Sequence, residues 1–284
     1  MDAFSQALAS GELALWTPLV LMLAGVGVVA GFLAGLLGVG GGIVLVPGIY
    51  YTLTTLGFPH DATMHMAVGT SLAVIIPTGF TSSRAHWKRG AVDIELVRRI
   101  GVGTLIGVGA GTLIAGHVSG ADLKAIFACA LFLIGLILLG APSRYTIAQN
   151  VPRQPWAAMA GFFIGGLSSL MGIGGATVSV PFMTSCRVPI HRAVGTASAL
   201  GVAISIPAAL GFVLIGWGIA GRPPFSLGYI SIPAWAVIVP LSVLTAPLGV
   251  NLAHRLHVKH LRRVFAVFVI VISMRMLAGV INGS

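Results

Sequence analysis

Residues 38–47 read Gly-Val-Gly-Gly-Gly-Ile-Val-Leu-Val-Pro, and residues 172–181 repeat this pattern as Gly-Ile-Gly-Gly-Ala-Thr-Val-Ser-Val-Pro. Both copies keep a Gly-x-Gly-Gly core and place a proline six residues after the last glycine of that core. Each glycine costs a helix about 1 kcal/mol relative to alanine, so a helix should break at each core. Both copies lie between apolar stretches, and broken backbone survives in lipid only where protein buries it or where it lines a cavity. Matched breaks in the two halves of an apolar chain are typical of a transporter binding site.

The composition places most of the chain in a lipid bilayer. Of its 284 residues, 57% are hydrophobic and 8% are charged, and the mean hydropathy is +1.02. A soluble domain carries about 25% charged residues. The formal net charge of +10 could indicate nucleic acid, but the basic residues lie in short connections between apolar stretches, as the positive-inside rule describes. We therefore expect the bilayer, and no nucleic acid, as a partner.

Ten apolar segments follow one another, at about 14–37, 43–57, 64–83, 92–116, 122–140, 156–171, 176–187, 192–217, 229–252 and 262–280. A spanning helix needs about 20 apolar residues. Segments 43–57 and 176–187 are shorter, so each is either a crossing or a re-entrant half-helix.

The basic residues indicate the orientation of the chain. They concentrate after the third, fifth, seventh and ninth segments, as Arg84, Lys88, Arg89, Arg144, Arg153, Arg187, Arg192, Arg255, Lys259, Arg262 and Arg263. If all ten segments cross, these connections share one side, which should be cytoplasmic. The sequence thus predicts an integral, multi-pass protein of the plasma (inner) membrane with both termini outside. Whether 43–57 and 176–187 cross in full stays open.

The two halves are related as a repeat. Five segments in each half make an odd number of crossings, so the second half enters the membrane from the opposite side. A second repeated motif, which we call the second echo, follows each glycine cluster. It occupies Ala67–Ser71 in the first half and Ala193–Ala197 in the second. The predicted fold is an all-α polytopic membrane protein with two inverted-topology repeats of about five segments each and glycine-broken helices near the midplane. The first repeat covers 1–140, a cytoplasmic linker covers 141–155, and the second repeat covers 156–284.

The helix that restarts after each glycine core predicts an anion site. Its first four N–H groups have no partner within the helix, and its dipole places about half a positive charge there. The proline in each copy frees one further carbonyl, and two converging helix starts bind an oxyanion without a buried lysine or arginine. The predicted substrate-binding residues at the breaks are Gly38, Gly40, Gly41, Gly42, Ile43, Gly172, Gly174, Gly175, Ala176 and Thr177.

Hydroxyl groups of the second echo are the other predicted ligands. Thr70, Ser71, Thr196 and Ser198 could orient the oxygens of an anion, or could bond their own helices instead. Small residues also let membrane helices pack closely. Packing is the interpretation we favour for Gly31, Gly35, Gly101, Gly103, Gly107 and Gly111.

Several stretches, taken in order, resemble the sulfite exporter TauE/SafE family over nearly the whole chain. They are Gly31–Gly42 running into Val46-Pro47, the pentad Ala67–Ser71, the stretch His86–Asp93, and Gly249, Ala253–Leu256 and Leu261–Ala266 near the end. The resemblance implies export of a small sulfur oxyanion such as sulfite, or of an organosulfonate. Ala176 and Ala197 depart from the repeated pattern, so the second half-site should be narrower or differently hydrogen-bonded.

The ionisable residues bear on gating and coupling. The resemblance includes His86 and Asp93, and we assign them, with Arg89, to the cytoplasmic interface, with gating as an alternative. The six acids all lie at a terminus, in a loop or near a helix end: Asp2, Glu12, Asp61, Asp93, Glu95 and Asp122. Transport is therefore expected to be uniport, or coupled through backbone carbonyls. Arg275 lies nearer the outer end of its segment and should reach toward the interface.

Functions other than export also fit parts of the sequence. An importer or a channel-like facilitator for thiosulfate or another small anion fits the same helix starts. An intramembrane enzyme would need a base near a nucleophile such as Ser179 or Cys186, and no histidine or acid lies at matching depth. No catalytic residue, metal or cofactor is expected, and Cys129 and Cys186 form no spaced pair. The sequence leaves the oligomeric state open.

Overall fold

The computed structural model describes residues 13–37, 41–58, 60–140, 148–219, 223, 225–253 and 258–281. These ranges contain ten helices and one short antiparallel hairpin. In chain order they are α1 (Leu13–Leu37), α2 (Gly42–Thr55), α3 (His60–Lys88), α4 (Ile94–His117), α5 (Gly120–Gly140), α6 (Trp156–Met171), α7 (Ala176–Ser185), α8 (Ile190–Ile215), β1 (Ser226–Leu227), β2 (Ile230–Ser231), α9 (Ile232–Ala253) and α10 (Val258–Ile281).

The all-α polytopic class is confirmed. Among the described helices, six are long and apolar enough to cross a bilayer, namely α1, α3, α4, α5, α8 and α9. Many large apolar side chains on these helices face outward, for example Leu105, Leu113, Leu210 and Leu244. A soluble monomer rarely exposes apolar patches on that scale, whereas lipid tails solvate them.

Both glycine clusters interrupt the helices as the sequence predicts, α1 giving way to α2 and α6 to α7. Gly172 closes α6 in the left-handed conformation with φ of 62°, which glycine adopts without a steric penalty. The N–H of Ile173 then donates to the carbonyl of Ser168 at 3.0 Å, which satisfies one of the last carbonyls of α6. Pro47 and Pro181 lie inside α2 and α7.

The two helices that follow the breaks are short. α2 has 14 residues and α7 has 10, so they are about 21 and 15 Å long, against about 30 Å of hydrocarbon. α2 folds back along α1, with Gly41 against Ala34 and Gly48 against Val26. α2 therefore runs antiparallel to the second half of α1.

Helices of the two halves pack in a reciprocal pattern. The fourth helix of each half packs along the first helix of the other half. These pairs are α4 with α6 and α9 with α1. α3 pairs with α8, and α5 with α10, so that each of these helices meets its own counterpart. The core is densest along α3, where every residue from Met64 to Ile75 is buried.

Glycines let the α1–α9 and α4–α6 pairs approach closely. A methyl group on any of several glycines would strike the backbone of the partner helix, which is typical of small-residue packing in membranes. These glycines are Gly31 and Gly35 on α1 and Gly103, Gly107 and Gly111 on α4. The favoured packing interpretation is confirmed for these five. Gly101, by contrast, meets only a side-chain atom of Leu200 at 4.0 Å.

Candidate functional site

The two glycine breaks lie against each other in the core. A methyl group on Gly42 would lie 2.8 Å from the carbonyl oxygen of Gly172 and 2.9 Å from the Cα of Ile173. A methyl group on Gly172 would lie 2.9 Å from the Cγ2 of Val46 on α2 and 2.9 Å from the Cα of Val68 on α3. The breaks are separated by more than 100 residues in sequence, yet they form one continuous contact.

The structure brings together most of the residues predicted at the breaks. Those described are Gly41, Gly42 and Ile43 in the first copy and Gly172, Gly174, Gly175, Ala176 and Thr177 in the second. Gly38 and Gly40 lie outside the described residues. All of the described ones are buried except Gly41, which is half-buried. Ile43 is 2% exposed and Thr177 is 6% exposed.

The start of α2 presents backbone N–H groups at this contact. Gly41 precedes the helix in the left-handed conformation with φ of 52°, and its carbonyl accepts the N–H groups of Val44 and Leu45, each at 3.0 Å. In the part of the chain that the structure describes, the N–H groups of Gly42 and Ile43 have no acceptor. Two donors therefore remain at the positive end of the α2 dipole.

The start of α7 is arranged in a related way. Thr177 donates its N–H to the carbonyl of Gly174 at 3.4 Å, and Ser179 donates its N–H to Gly175 at 2.9 Å and its hydroxyl to the same oxygen at 2.6 Å. The N–H of Ala176 has no acceptor among the described residues. Each half thus has a buried helix start with at least one N–H group that no described residue accepts.

Ser71 ties the first half to the break of the second. Its hydroxyl donates to the carbonyl of Gly172 at 2.7 Å, and both residues are buried. The equivalent residue of the second half is Ala197, which has no hydroxyl and is fully buried. The departure noted in the sequence therefore removes one hydrogen bond between the halves and makes the site asymmetric.

Thr70 docks the start of α9. Its hydroxyl oxygen accepts the N–H of Ser231 at 2.9 Å, and Gly69 lies so close to Tyr229 that a methyl group would be 2.6 Å from its carbonyl oxygen. Ser231 also caps α9, because its hydroxyl accepts the N–H of Ala234 at 3.4 Å. We call Gly69, Thr70, Tyr229 and Ser231 the apolar junction.

Thr196 docks the start of α4 in the equivalent way. Its hydroxyl oxygen accepts the N–H of Asp93 at 3.0 Å, and a methyl group on Gly195 would lie 2.5 Å from the carbonyl oxygen of Ala91. Here the capping residue is an acid, and Asp93 also pairs with Arg192 at 2.5 Å. We call Gly195, Thr196, Ala91, Asp93 and Arg192 the basic junction.

The four predicted hydroxyls therefore have different surroundings. The oxygens of Thr70 and Thr196 each accept a backbone N–H, so each retains its hydrogen for a further acceptor. Ser71 donates its hydrogen to the second break. Ser198 donates to the carbonyl of Val194 at 2.9 Å and lies 3.3 Å from the hydroxyl of Ser82.

The predicted interface residues lie in the last turn of α3 and in the connection from α3 to α4. The carbonyl of His86 accepts the N–H groups of Arg89 at 3.2 Å and Ala91 at 3.0 Å, and Gly90 takes a φ of 66°. This turn delivers Asp93 to the basic junction. Among the described residues, no three histidine, cysteine, aspartate or glutamate side chains lie together as a metal site requires.

One feature of the site was missed from the sequence. The second echo extends four residues upstream of Gly-Thr to a histidine in each half, His65 and His191. His65 is 4% exposed, its Nε2 donates to the carbonyl of Ala115 at 2.8 Å, and its ring stacks on Tyr229 with centroids 4.9 Å apart. It therefore extends the apolar junction to the end of α4. The repeated histidine was the signal that could have found it.

The model of the family described as sulfite exporter TauE/SafE matches residues 23–276. The chain belongs to the sulfite exporter TauE/SafE family. A probable membrane transporter protein of Haemophilus influenzae is 35% identical over 253 residues, which cover 88% of this chain and 95% of that protein.

Two further relatives carry the same description. A probable membrane transporter protein of Methanocaldococcus jannaschii is 29% identical over 256 residues, covering 88% of this chain and 91% of that protein. One from Bacillus subtilis is 34% identical over 179 residues, covering 55% of this chain and 64% of that protein. No solved structure matches the chain. This TauE/SafE family member is thus an integral, multi-pass membrane transporter.

Proposed function

We propose that this transporter exports a small sulfur oxyanion, such as sulfite, or an organosulfonate across the plasma membrane by alternating access. The observation that carries the proposal is the contact of the start of α2 with the second glycine break. The N–H groups of Gly42 and Ile43 at that start, and of Ala176 at the start of α7, have no acceptor in the described part of the chain. Unpaired N–H groups at converging helix N-termini favour an anion through both hydrogen bonds and helix dipoles.

The residues around the contact favour an anion over a cation. Asp93, Glu95 and Asp122 lie at the ends of helices, and none of these three lies at the breaks. A monovalent anion leaves a cell whose interior is negative by 100 mV with about 2.3 kcal/mol in its favour. Uniport driven by the membrane potential would therefore suffice for export. Thr70, Ser71, Thr196 and Ser198 remain proposed contributors of hydroxyl groups.

The reciprocal helix pairing supports the proposed repeats of residues 1–140 and 156–284, with a cytoplasmic linker at 141–155. In an inverted repeat, each pair of unlike helices recurs with the two halves exchanged, as α4–α6 and α1–α9 do. The basic connections then face the cytoplasm and both termini lie outside. On this topology the basic junction is cytoplasmic and the apolar junction is external.

The two junctions are the proposed gates of an alternating-access cycle. At each of them the third helix of one half holds the capping residue just before the fourth helix of the other half. Opening one junction would separate the halves on one side while the other junction keeps them joined. His86 and Arg89 adjoin the basic junction and are proposed to act in its opening.

The proposal is tested by sulfite efflux from proteoliposomes under an imposed membrane potential, with thiosulfate and taurine as competitors. Gly42→Ala places a methyl group against the backbone of the second break, and it should slow efflux at least about tenfold if the breaks must approach each other. Gly109→Ala is the matched control, because no atom lies within 4 Å of the added methyl group.

The outcomes separate the parts of the proposal. Potential-dependent efflux that Gly42→Ala loses and Gly109→Ala keeps supports anion transport through the breaks. Absence of flux for every sulfur anion, in folded protein, would make the substrate wrong. Dependence on an imposed proton or sodium gradient at zero potential would exclude uniport.

A further inference from the structure

Two adjacent tyrosines on α2 each face a cation from another helix. The rings of Tyr50 and Tyr51 meet edge to face with centroids 5.4 Å apart. The Nζ of Lys124 on α5 lies 5.0 Å from the centroid of Tyr50, and the Cζ of Arg275 on α10 lies 4.9 Å from that of Tyr51. We call these four residues the tyrosine–cation cluster.

The cluster contains a buried polar atom without a partner. The hydroxyl oxygen of Tyr51 is inaccessible to solvent and has no hydrogen-bond partner among the described residues. A buried phenol normally finds one, and an orphaned polar group in a folded protein calls for a specific explanation such as a bound ion. The hydroxyl is a donor, so its natural partner is an acceptor such as an oxyanion.

The charges around the cluster point the same way. Lys124 is 6% exposed and Tyr50 is 3% exposed, so a cation has been brought into an apolar part of the chain. Arg275 has no carboxylate within 4 Å in the described part of the chain. Arg275 is exposed, so a cation that an anion can approach lies over the ring that carries the orphaned hydroxyl.

A structural explanation covers only part of this. Cations near the last turn of α2 would interact favourably with its dipole, and both would gain from lying over aromatic rings. Neither effect uses the hydroxyl of Tyr51. Phenylalanine in place of Tyr51 would allow the same dipole and cation–π interactions.

We propose that the tyrosine–cation cluster is a second binding site for the transported oxyanion, at the opposite end of α2 from the glycine breaks. This inference rests on the proposed function and adds a second binding site to the path of the anion. Eight residues separate Ile43 from Tyr51 along the helix, which corresponds to about 12 Å. An anion released from the helix starts would then meet Arg275 and the hydroxyl of Tyr51 on its way out of the protein.

The test is anion-dependent thermal stabilisation of the full chain in detergent, with sulfite or sulfate compared with chloride at equal ionic strength. Tyr51→Phe keeps the ring and removes the orphaned hydroxyl. Arg275→Gln removes the charge. Arg98→Gln is the matched control, because Arg98 is an exposed cation on α4. Each variant is also made with Gly42→Ala, which weakens the first site and isolates the second.

In the Gly42→Ala background, Tyr51→Phe and Arg275→Gln should each raise the anion concentration for half-maximal stabilisation by about tenfold, the size expected for one lost charge-assisted hydrogen bond. Arg98→Gln should leave it unchanged. Equal values in all three variants would overturn the cluster proposal, while sulfite efflux by the parent protein would still uphold the proposed function.

A phospholipid headgroup offers the same phosphate-like chemistry and is a separate arm of the test. Stabilisation by phosphatidylglycerol in the absence of sulfite, lost in both Tyr51→Phe and Arg275→Gln, would identify the site as a lipid site and overturn its role in transport. Insensitivity to phosphatidylglycerol, together with the expected sulfite response, supports the transported anion.

Discussion

Replacing Thr70 by valine tests whether its hydroxyl docks α9 or serves the substrate. Valine has nearly the same shape but cannot accept the N–H of Ser231, which is 2.9 Å away in the parent protein. Thr70 is 0% exposed and Ser231 is 5% exposed, so water cannot replace the lost acceptor. A buried donor left unpaired costs about 1–3 kcal/mol, which corresponds to about a five- to 150-fold change in the unfolding equilibrium.

The assay is reversible unfolding in mixed detergent micelles, combined with flux in proteoliposomes. Thr70→Val should lower the free energy of unfolding by about 1–3 kcal/mol, and Thr70→Ser should recover most of it by restoring the acceptor. Thr196→Val should behave similarly through Asp93, whose side chain is 17% exposed. If Thr70→Val keeps the stability of the parent protein but raises the KM for the anion, the docking argument is wrong and the hydroxyl contacts the substrate.

Two further substitutions test the contacts between the halves. Gly107→Ala puts a methyl group into the backbone of α6 and should destabilise the protein by about 1–3 kcal/mol. The control Gly109→Ala should be neutral or stabilising by up to about 1 kcal/mol. Thermal unfolding compares the two variants, and equal stabilities would contradict the close packing of α4 and α6. Ser71→Ala removes the donor to Gly172 and should cost about 1 kcal/mol and slow anion flux in proteoliposomes. Unchanged flux would mean that this hydrogen bond does not hold the second break in place.

The sequence was sufficient to locate the breaks and the close helix pairs. Each glycine costs a helix about 1 kcal/mol, so three glycines within four residues predicted from local propensity alone that α1 and α6 would end there. Glycine at every fourth residue, as in Gly103 and Gly107, likewise marks a helix face that approaches another backbone. Both features are carried by residue type and spacing, and tertiary structure did not override them.

The surroundings of the predicted hydroxyls could not be derived in the same way. Thr70 lies 161 residues from Ser231, and Thr196 lies 103 residues from Asp93. Nothing in the local pattern tells a threonine that docks a helix start from one that faces a ligand, because both roles need a small residue with a hydroxyl. The lengths of α2 and α7 were also ambiguous, since a short apolar run fits a crossing or a folded-back helix until its neighbours are known.

The two junctions differ in a way that predicts different responses to salt. Asp93 and Arg192 form an ion pair with side chains 17% and 55% exposed, whereas the equivalent positions of the apolar junction are Ser231 and Met66. A partly exposed pair contributes up to about 1 kcal/mol and is screened by salt, so high salt should favour opening of the basic junction by at most about fivefold.

Amide hydrogen exchange measures this opening directly. Exchange in residues 91–96 should rise with salt, while exchange in residues 229–234 should not. Asp93→Asn keeps the helix cap but removes the charge, so it should raise exchange at low salt and abolish the response to salt. If both segments respond equally, the ion pair does not hold the basic junction closed, and the difference between the two gates must come from packing alone.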